Sequence, residues 1–539
     1  MKQKPPRGST PAPDHIMLSL NGCVKTKRTV TWRTSEEIKQ GYALYWESDK
    51  PEDVMRQDSE TGLFESDIDT STMHWAHLSQ LRPGTSYSYT CGDDENRAGP
   101  FTFTTAPAEI TKFKFLCIAD QQSGEPFDLP DYSHVNQFLK QLVKDHPDCA
   151  FLLTGGDNTD CGQHEQQWNA LFESGLRGVV ESMPFMMCLG NHDNRGFADY
   201  RTHTGRYYSE PGEFWQKQFG GSYPDNGPEG WKTENYHFTY GNAQFNFVGL
   251  TGDEDRNAWL HETVGKSGAQ WKLGVWHFPV CYTGADMERN DHPPLRTGLE
   301  CFDLLFGGHE HSFARSFPVK DDALFERPSQ GTVHYMLGNS NRNPPPPQQT
   351  VSKIWNAAFF THEQPLSAAC VVEVEGPRIT LTSFLEDGRV FDQCVIDKTQ
   401  DMITPRQLPP VFRSTRMIYK GMDLGLIAQD TPCEQCDGVW FAPLAVLVDC
   451  IGGEAQKSPG KVRLEIYDCW AEFTEGSDVA KTDWRDLKLP APVYRGARGQ
   501  LYIPLQGCEP LGMTWKVVPH NNFVSFEHPS EDHPLTEQP

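Results

Sequence analysis

The sequence predicts a multidomain protein with an N-terminal β-sandwich, a central α/β domain and a C-terminal β-rich domain. Three observations carry that prediction. The chain has 539 residues, more than one hydrophobic core accommodates. Residues 15–106 run as short alternating strands, whereas from residue 112 apolar runs ending in polar residues alternate with helical periodicity. Beyond a proline-containing linker, TPRQLPP, strand-like runs return and helical periodicity fades.

The first domain, placed at 14–107, contains HIMLSL, RTVTWRT, YALYWES, HWAHLSQL, SYSYTCG and PFTFTTAP, separated by turn formers such as RPGTS. Short strands at that density are the signature of a β-sandwich. The second, placed at 112–397, begins with FKFLCIAD. Val135, Phe138, Leu139 and Leu142 then recur at helical spacing behind Asp131, a candidate N-cap. CAFLLTGGDN follows, then a second helical face of Trp168, Leu171, Phe172, Leu176 and Val179, then FMMCLGNHDN. Strand, helix, strand, helix, strand indicates an α/β domain.

The stretch 196–235 is rich in Gly, Tyr, Pro and charge and reads as a long insertion, a lid or surface loop. Within it Tyr207, Tyr208 and Trp215 read as packing residues, with pocket lining as the alternative. Strands resume in YHFTYGNAQFNFVGL, WKLGVWHFPV, CFDLLFGGHEH and TVHYMLGN. The run NPPPPQQ suits neither strand nor helix and reads as an exposed loop. CVVEVEG and RITLTSFL close the domain. The third domain, placed at 411–530, carries VWFAPLAVLVDC, KVRLEIYDCW, QLYIPL and TWKVV. No internal repeat is evident.

A formal net charge of −25 argues against a basic nucleic-acid-binding surface. It leaves an anionic small molecule open as substrate, because charges beyond about 8 Å are screened. No apolar run is long enough to span a membrane. The N-terminus MKQKPPRGSTPAPDH lacks an apolar core after its basic residues, so a cytoplasmic location is expected, or a secreted one had a signal been removed. The 15 cysteines are odd in number, and Cys117 and Cys188 sit in apolar runs, where a free thiol acts as a small hydrophobe. CEQC at Cys433 and Cys436 lacks a second tight pair, so buried or loop cysteines are the default over a zinc site.

The chemistry lies at the ends of the apolar runs. Asp120 follows FLCIA, Asp157 lies in GGDN, and Asn191, His192 and Asp193 lie in GNHD. His277 follows GVW, and His309 and His311 form GGHEH. A single aspartate or histidine in such a place is usually a turn former or a core residue. Several in series, each after an apolar run and displayed from one sheet edge, point to a metal centre. Oxygen and nitrogen donors without thiolate suit Fe, Mn or Zn. Two such ions activate a water and clamp the oxygens of an in-line displacement at phosphorus. Offset by Asp120 and Asp157, two divalent cations leave the site positive, which suits a phosphate dianion.

The series Asp120, GGDNTD, GNHD, WHFP and GGHEH resembles the calcineurin-like metallophosphoesterases. The preceding SLNG, TVTW, LRPGTSYSY and FTFTTAP resemble the fibronectin III-like N-terminal domain of purple acid phosphatases. The resemblance implies a four-layer α/β/β/α metallophosphoesterase domain and hydrolysis of a small-molecule phosphate ester at two metal ions. It implies that Asp157 bridges the ions, that Asn191, His277 and His309 complete one site, and that Asp120 and His311 serve the other. His192 would assist the leaving group, oriented by Asp193, and Arg195 is a candidate phosphate contact.

The chain departs from the purple acid phosphatase pattern at Asp160, where that family has a tyrosine ligand, and at Gln122, where it has glycine. Gln122 is therefore a candidate ligand, through water or directly, or a pocket residue. Monoester and diester substrates both remain open. A binding or scaffold protein is the other class considered, since β-rich flanking domains occur in adhesion proteins, but a decayed enzyme would have lost ligands that this chain keeps. Without a tyrosine at position 160, the iron-loaded protein is expected to show no tyrosinate charge-transfer band in a visible absorption scan.

Overall fold

In a computed structural model of the chain, the described residues are all except 1–7, 125–129, 196–211, 251–252, 285–298, 322, 346–348, 362–363, 411–413, 420–421, 425–431 and 529–539. The first part of the insertion, with Tyr207 and Tyr208, therefore lies outside the described residues, as does part of the proline run.

The alternation in the first domain folds as two four-stranded antiparallel sheets. One orders its strands Asp14–Ser19, Arg28–Ser35, Thr70–Leu78 and Glu60–Glu65; the other Met55–Asp58, Tyr42–Glu47, Ser86–Gly92 and Arg97–Thr104. Leu18, Val30, Trp32, Ala76, Tyr87, Tyr89 and Phe103 fill the space between them.

The central domain is built on two seven-stranded sheets. In the first, Lys112–Ile118, Cys149–Thr154 and Phe185–Met187 are parallel neighbours, so their C-terminal ends share one edge. Antiparallel strands Ala368–Glu375, Arg378–Leu385, Val390–Asp397 and Met402–Thr404 extend the sheet on the other side of Lys112–Ile118. In the second, Ala243–Val248, Trp271–Trp276, Leu304–Gly307 and Val333–Leu337 are parallel in that order.

Aromatic rings weld the two sheets. Phe115 and Phe151 of the first sheet meet Phe245 of the second edge to face at 5.1 and 5.2 Å, and Phe151 meets Phe238 at 5.5 Å. Edge-to-face pairs add about 0.5–1.5 kcal/mol each beyond their burial.

The helices follow the sequence periodicity. Ser133–Asp145 buries Val135, Phe138, Leu139 and Leu142. Asp131 accepts the Ser133 backbone N–H at 2.9 Å, although the N-cap itself is Tyr132. The second helix runs α-helical over Glu165–Ala170 and widens to a π-turn over Leu171–Leu176, burying Trp168, Leu171, Phe172 and Leu176. Val179 is buried beyond its end. Trp215 is a core residue, packed against Trp168 and Phe219 at 5.8 and 4.8 Å.

The sandwich is locked to this second helix by a buried charge pair. Arg33 binds Asp14 at 2.6 Å and lies in hydrogen-bond contact with Glu165, whose side chain is wholly buried. Ser66 also donates to Glu165, and Asp67 accepts the Glu165 N–H at 2.9 Å. Leu18 N–H to Val180 O and Tyr89 O–H to Glu181 O, at 2.9 and 2.7 Å, extend the same seam.

The C-terminal unit holds a repeat that the sequence conceals. Strand Val439–Ala442 leads through Pro443 into helix Leu444–Cys450 and then the hairpin Glu454–Ser458/Lys461–Ile466. Strand Leu501–Pro504 leads into the 3-10 helix Leu505–Leu511 and the hairpin Thr514–Val518/Phe523–Glu527. Gly452 and Gly512, at φ 85° and 72°, make the left-handed turn in each copy. The two leading strands pair antiparallel. The two units share little sequence beyond FAPL and YIPL. Of the CEQC pair, Cys433 is buried in this core and Cys436 is exposed. Among the described residues no helix is long and apolar enough to cross a membrane.

Arg33→Ala would leave the Glu165 carboxylate buried without its cation. The expected loss is about 3–5 kcal/mol, read as a lower guanidinium midpoint for unfolding.

Candidate metal centre

Asp120, Asp157 and Asn191 stand just past the ends of three parallel strands of the first sheet. His277, His309 and His311 stand past strands of the second. The facing sheets therefore bring six residues spread over almost two hundred positions into one cleft. The turns that aim them are unusual: Asp120, Asp157, His309 and His311 all have left-handed backbones, at φ 52°, 53°, 77° and 54°. Non-glycine residues held there cost of order 1–3 kcal/mol each and cluster at functional sites.

The motif glycines allow the close approach. A Cβ on Gly190 would stand 2.2 Å from Asp157 Oδ1, one on Gly156 2.7 Å from His277 Nδ1, and one on Gly308 2.7 Å from Asp120 Oδ2.

The donor atoms converge. Asn191 Oδ1 lies 2.9 Å from both His277 Nε2 and His309 Nδ1, which are themselves 3.3 Å apart. Asp157 Oδ2 lies 3.1 Å from His277 Nε2. Asp157, His277 and His309 each offer a ligand atom within 4.8 Å of the others. The His277 Nδ1–H donates to Gly155 O at 2.9 Å, which fixes the ring and turns Nε2 toward the cluster. Beside it, His311 Nδ1–H donates to Asn343 O at 2.7 Å, turning its Nε2 toward Asp120 Oδ1, 3.9 Å away. Asp120 Oδ1 accepts the His309 N–H at 2.7 Å, while its buried Oδ2 has no hydrogen-bond partner. A buried carboxylate oxygen left so, among lone pairs facing one another, fits a cation.

The electrostatics say the same. Burial, and the neighbouring Asp157, push the Asp120 carboxyl well above the usual range. Burial acts against Asp157 too, but the His277 and His192 imidazoles outweigh it and hold its carboxyl low. Against burial, Asp157 and Asp120 lift His277 to about 9, so positive charge is favoured at the centre of this group.

Gln122 stands in the same cleft: its Nε2 donates to His311 Nε2 at 3.0 Å and to Asp157 Oδ2 at 3.3 Å. Asp160 is turned away, toward the segment after Gln122. His192 lies at the mouth, 3.8 Å from Asp157 Oδ2, its Nδ1–H donating to the Asp160 carbonyl at 2.9 Å. Arg195 lays Nη2 2.6 Å from His192 Nε2. Burial and then Arg195, against Asp157, push the His192 ring down to about 3.

One expectation is corrected. Asp193 does not orient the His192 ring. Its carboxylate accepts from the backbone N–H groups of Asn158, Thr159 and Gly190 at 2.8, 3.0 and 2.9 Å and from Asn158 Nδ2 at 2.9 Å. It ties the GGDN turn to the GNHD turn, and burial with Asp157 nearby raises it to about 7.

Sequence reasoning also missed Asn339, Asn341 and Asn343. Asn339 Nδ2 donates to Asp120 O and Asn341 Nδ2 to Gln121 O, each at 2.8 Å, while Asn343 O holds His311. The signal was present: GNSNRN follows the apolar TVHYML just as the ligand motifs follow theirs.

Fold and site together define a class. Residues 113–313 match the family model for calcineurin-like phosphoesterases, and residues 13–105 that for the purple acid phosphatase N-terminal domain. Residues 113–313 are thus similar to a calcineurin-like phosphoesterase domain, and they follow a segment similar to the N-terminal domain of purple acid phosphatases. Among particular proteins it is 25% identical to mouse acid phosphatase type 7 over 303 residues, covering 50% of this chain and 64% of that one. It is 22% identical to Arabidopsis thaliana purple acid phosphatase 15 over 306 residues, covering 50% and 53%. The chain thus spans less than two thirds of the length of either relative. Its fold is similar to that of purple acid phosphatase PPD1 from yellow lupin seeds, with TM-score 0.57, 16% identity, and coverage of 72% and 74%. Against PhoD the TM-score is 0.50 at 11% identity, covering 76% and 94%.

Gly190→Ala would drive a methyl group into Asp157. Metal retained after dialysis, measured by mass spectrometry, is expected to fall with an affinity loss of about 10–100-fold.

Proposed function

We infer that this protein hydrolyses phosphate esters, most readily phosphomonoesters, at a dinuclear metal centre. The observation that carries the reading is the convergence of Asp157 Oδ2, Asn191 Oδ1, His277 Nε2 and His309 Nδ1 beside Asp120 and His311. Asp157 lies between the two groups and would be shared by both ions. Asn191, His277 and His309 would complete one site; Asp120 and His311 would serve the other. Divalent or trivalent Fe, Mn or Zn ions held there would supply Lewis acidity toward a water and the phosphoryl oxygens.

The chain's own residues do the rest. The left-handed turns and their glycines hold the donors in place before substrate arrives, so little reorganisation remains for the transition state. In the reaction, water adds to phosphorus, the ester P–O bond breaks, and the departing oxygen takes a proton. His192, at the mouth and anchored through its Nδ1–H by the Asp160 carbonyl, assists that leaving oxygen through Nε2 once that nitrogen has taken up a proton. Arg195, in contact with His192 through Nη2, meets a non-bridging phosphoryl oxygen. A diester substrate is the second reading, favoured by the absence of a tyrosine at position 160.

His192→Ala is expected to lower kcat by about 10²–10⁴-fold with metal content unchanged; full turnover would remove His192 from the mechanism. Parallel assays of a chromogenic monoester and diester with added Mn, Fe or Zn decide the substrate class. Faster diester turnover with every metal would overturn the monoester reading.

A further inference from the structure

The two halves of the cleft are not equally equipped. Around His277, an imidazole pair, a carboxamide oxygen and a carboxylate close on one point. Around His311, among the described residues, the charged and imidazole donors are Asp120, Asp157 and His311, and a further side chain there is Gln122, which is 2% exposed. Its carboxamide has two settings related by a half-turn. In one, Nε2 donates to His311 Nε2 and Asp157 Oδ2, and Oε1 is left buried without a hydrogen-bond partner. In the other, Oε1 faces those same acceptors. Lone pairs directed at one another in a buried site are stabilised by a cation between them.

Asp160 holds the turn that follows Gln122. Its Oδ2 accepts the Ser123 N–H and O–H at 3.0 and 2.8 Å, and its Oδ1 accepts the Gly124 N–H at 2.8 Å. The two residues immediately after Gln122 are thereby pinned, and Gly124 takes a left-handed φ of 79° to make the turn. Among these bonds Asp160 makes none to the converging donors; it holds the segment that presents Gln122.

Resting on the dinuclear reading above, we propose that Gln122 Oε1 is the fourth protein ligand of the ion held by Asp120, Asp157 and His311, and that Asp160 is the positioning residue that presents it. A neutral carboxamide adds no charge to two carboxylates and one imidazole. This half of the centre therefore takes a divalent ion, binds it more weakly than the Asn191/His277/His309 half, and exchanges it with solution.

The test is a titration of the chelator-treated full-length protein with Mn²⁺, followed by electron paramagnetic resonance of free Mn²⁺ and by metal analysis. The wild type is expected to bind in two steps, one tight and one weak. Gln122→Ala should weaken the second step by about 10–100-fold and leave the first unchanged. Asp160→Ala should do likewise, with partial recovery in Asp160→Asn, which keeps one acceptor oxygen. Gln122→His should tighten the second step, because imidazole is the stronger ligand. The melting temperature of each chelator-treated variant reports whether the fold is intact. Unchanged second-step affinity in Gln122→Ala overturns the ligand assignment. Equal weakening of both steps in Asp160→Ala, with a lowered melting temperature, overturns its positioning role. A wild type that takes up no metal, or whose binding survives Asp157→Ala, overturns the dinuclear reading itself and this inference with it.

Discussion

Negative charge and lone pairs are forced together around Asp157, and the rest of the structure answers to that. A buried carboxylate beside a second buried carboxylate is unfavourable in itself, as the upward push on Asp120 shows. The chain accepts it by holding four donor residues in left-handed turns and by leaving glycine wherever a side chain would strike a ligand. None of these features favours folding locally. They persist because the surrounding turns are pinned from behind: Asp193 holds the GGDN and GNHD turns, Asn339 and Asn341 hold the backbone at Asp120 and Gln121, and Asn343 holds His311.

That pinning extends outward. The edge-to-face rings between the sheets keep the two sets of strand ends in register, and a shift of either sheet would separate Asn191 from His277. On the other flank, Arg33 of the sandwich grips Glu165 at the start of the helix that follows the Asp160 turn. The same Asp160 holds Ser123 and Gly124 by its side chain and His192 by its carbonyl. The sandwich is thus joined, through a few buried polar contacts, to the segment that presents both Gln122 and His192.

Much of this was legible in the residues. The switch from period-two alternation to strand–helix alternation at residue 112 marks where the sandwich gives way to the α/β domain, because burial on one face or two imposes different patterns. The helical faces of Val135–Leu142 and Trp168–Leu176 are buried as their spacing requires. The ligand motifs were visible because each follows an apolar run, and parallel strands put such positions on one edge. Less visible were Asn339 and Asn341, whose side chains hold backbone carbonyls, and Asn343, whose own carbonyl holds the His311 ring. The repeated strand–helix–hairpin order in the C-terminal unit was hidden too, since the two units share almost no residues.

By itself the sequence determined which residue types stand at the strand ends, and so the class of chemistry they can support. Periodicity and composition are properties of the chain alone. Only the tertiary structure decided the partners. It gave Asp193 to the backbone of two turns rather than to the His192 ring, and directed Asp160 toward Ser123 and Gly124. It set Gln122 between Asp157 and His311. Those choices rest on distances of about 3 Å between residues far apart in the chain, and hydrogen bonds are short-ranged and directional.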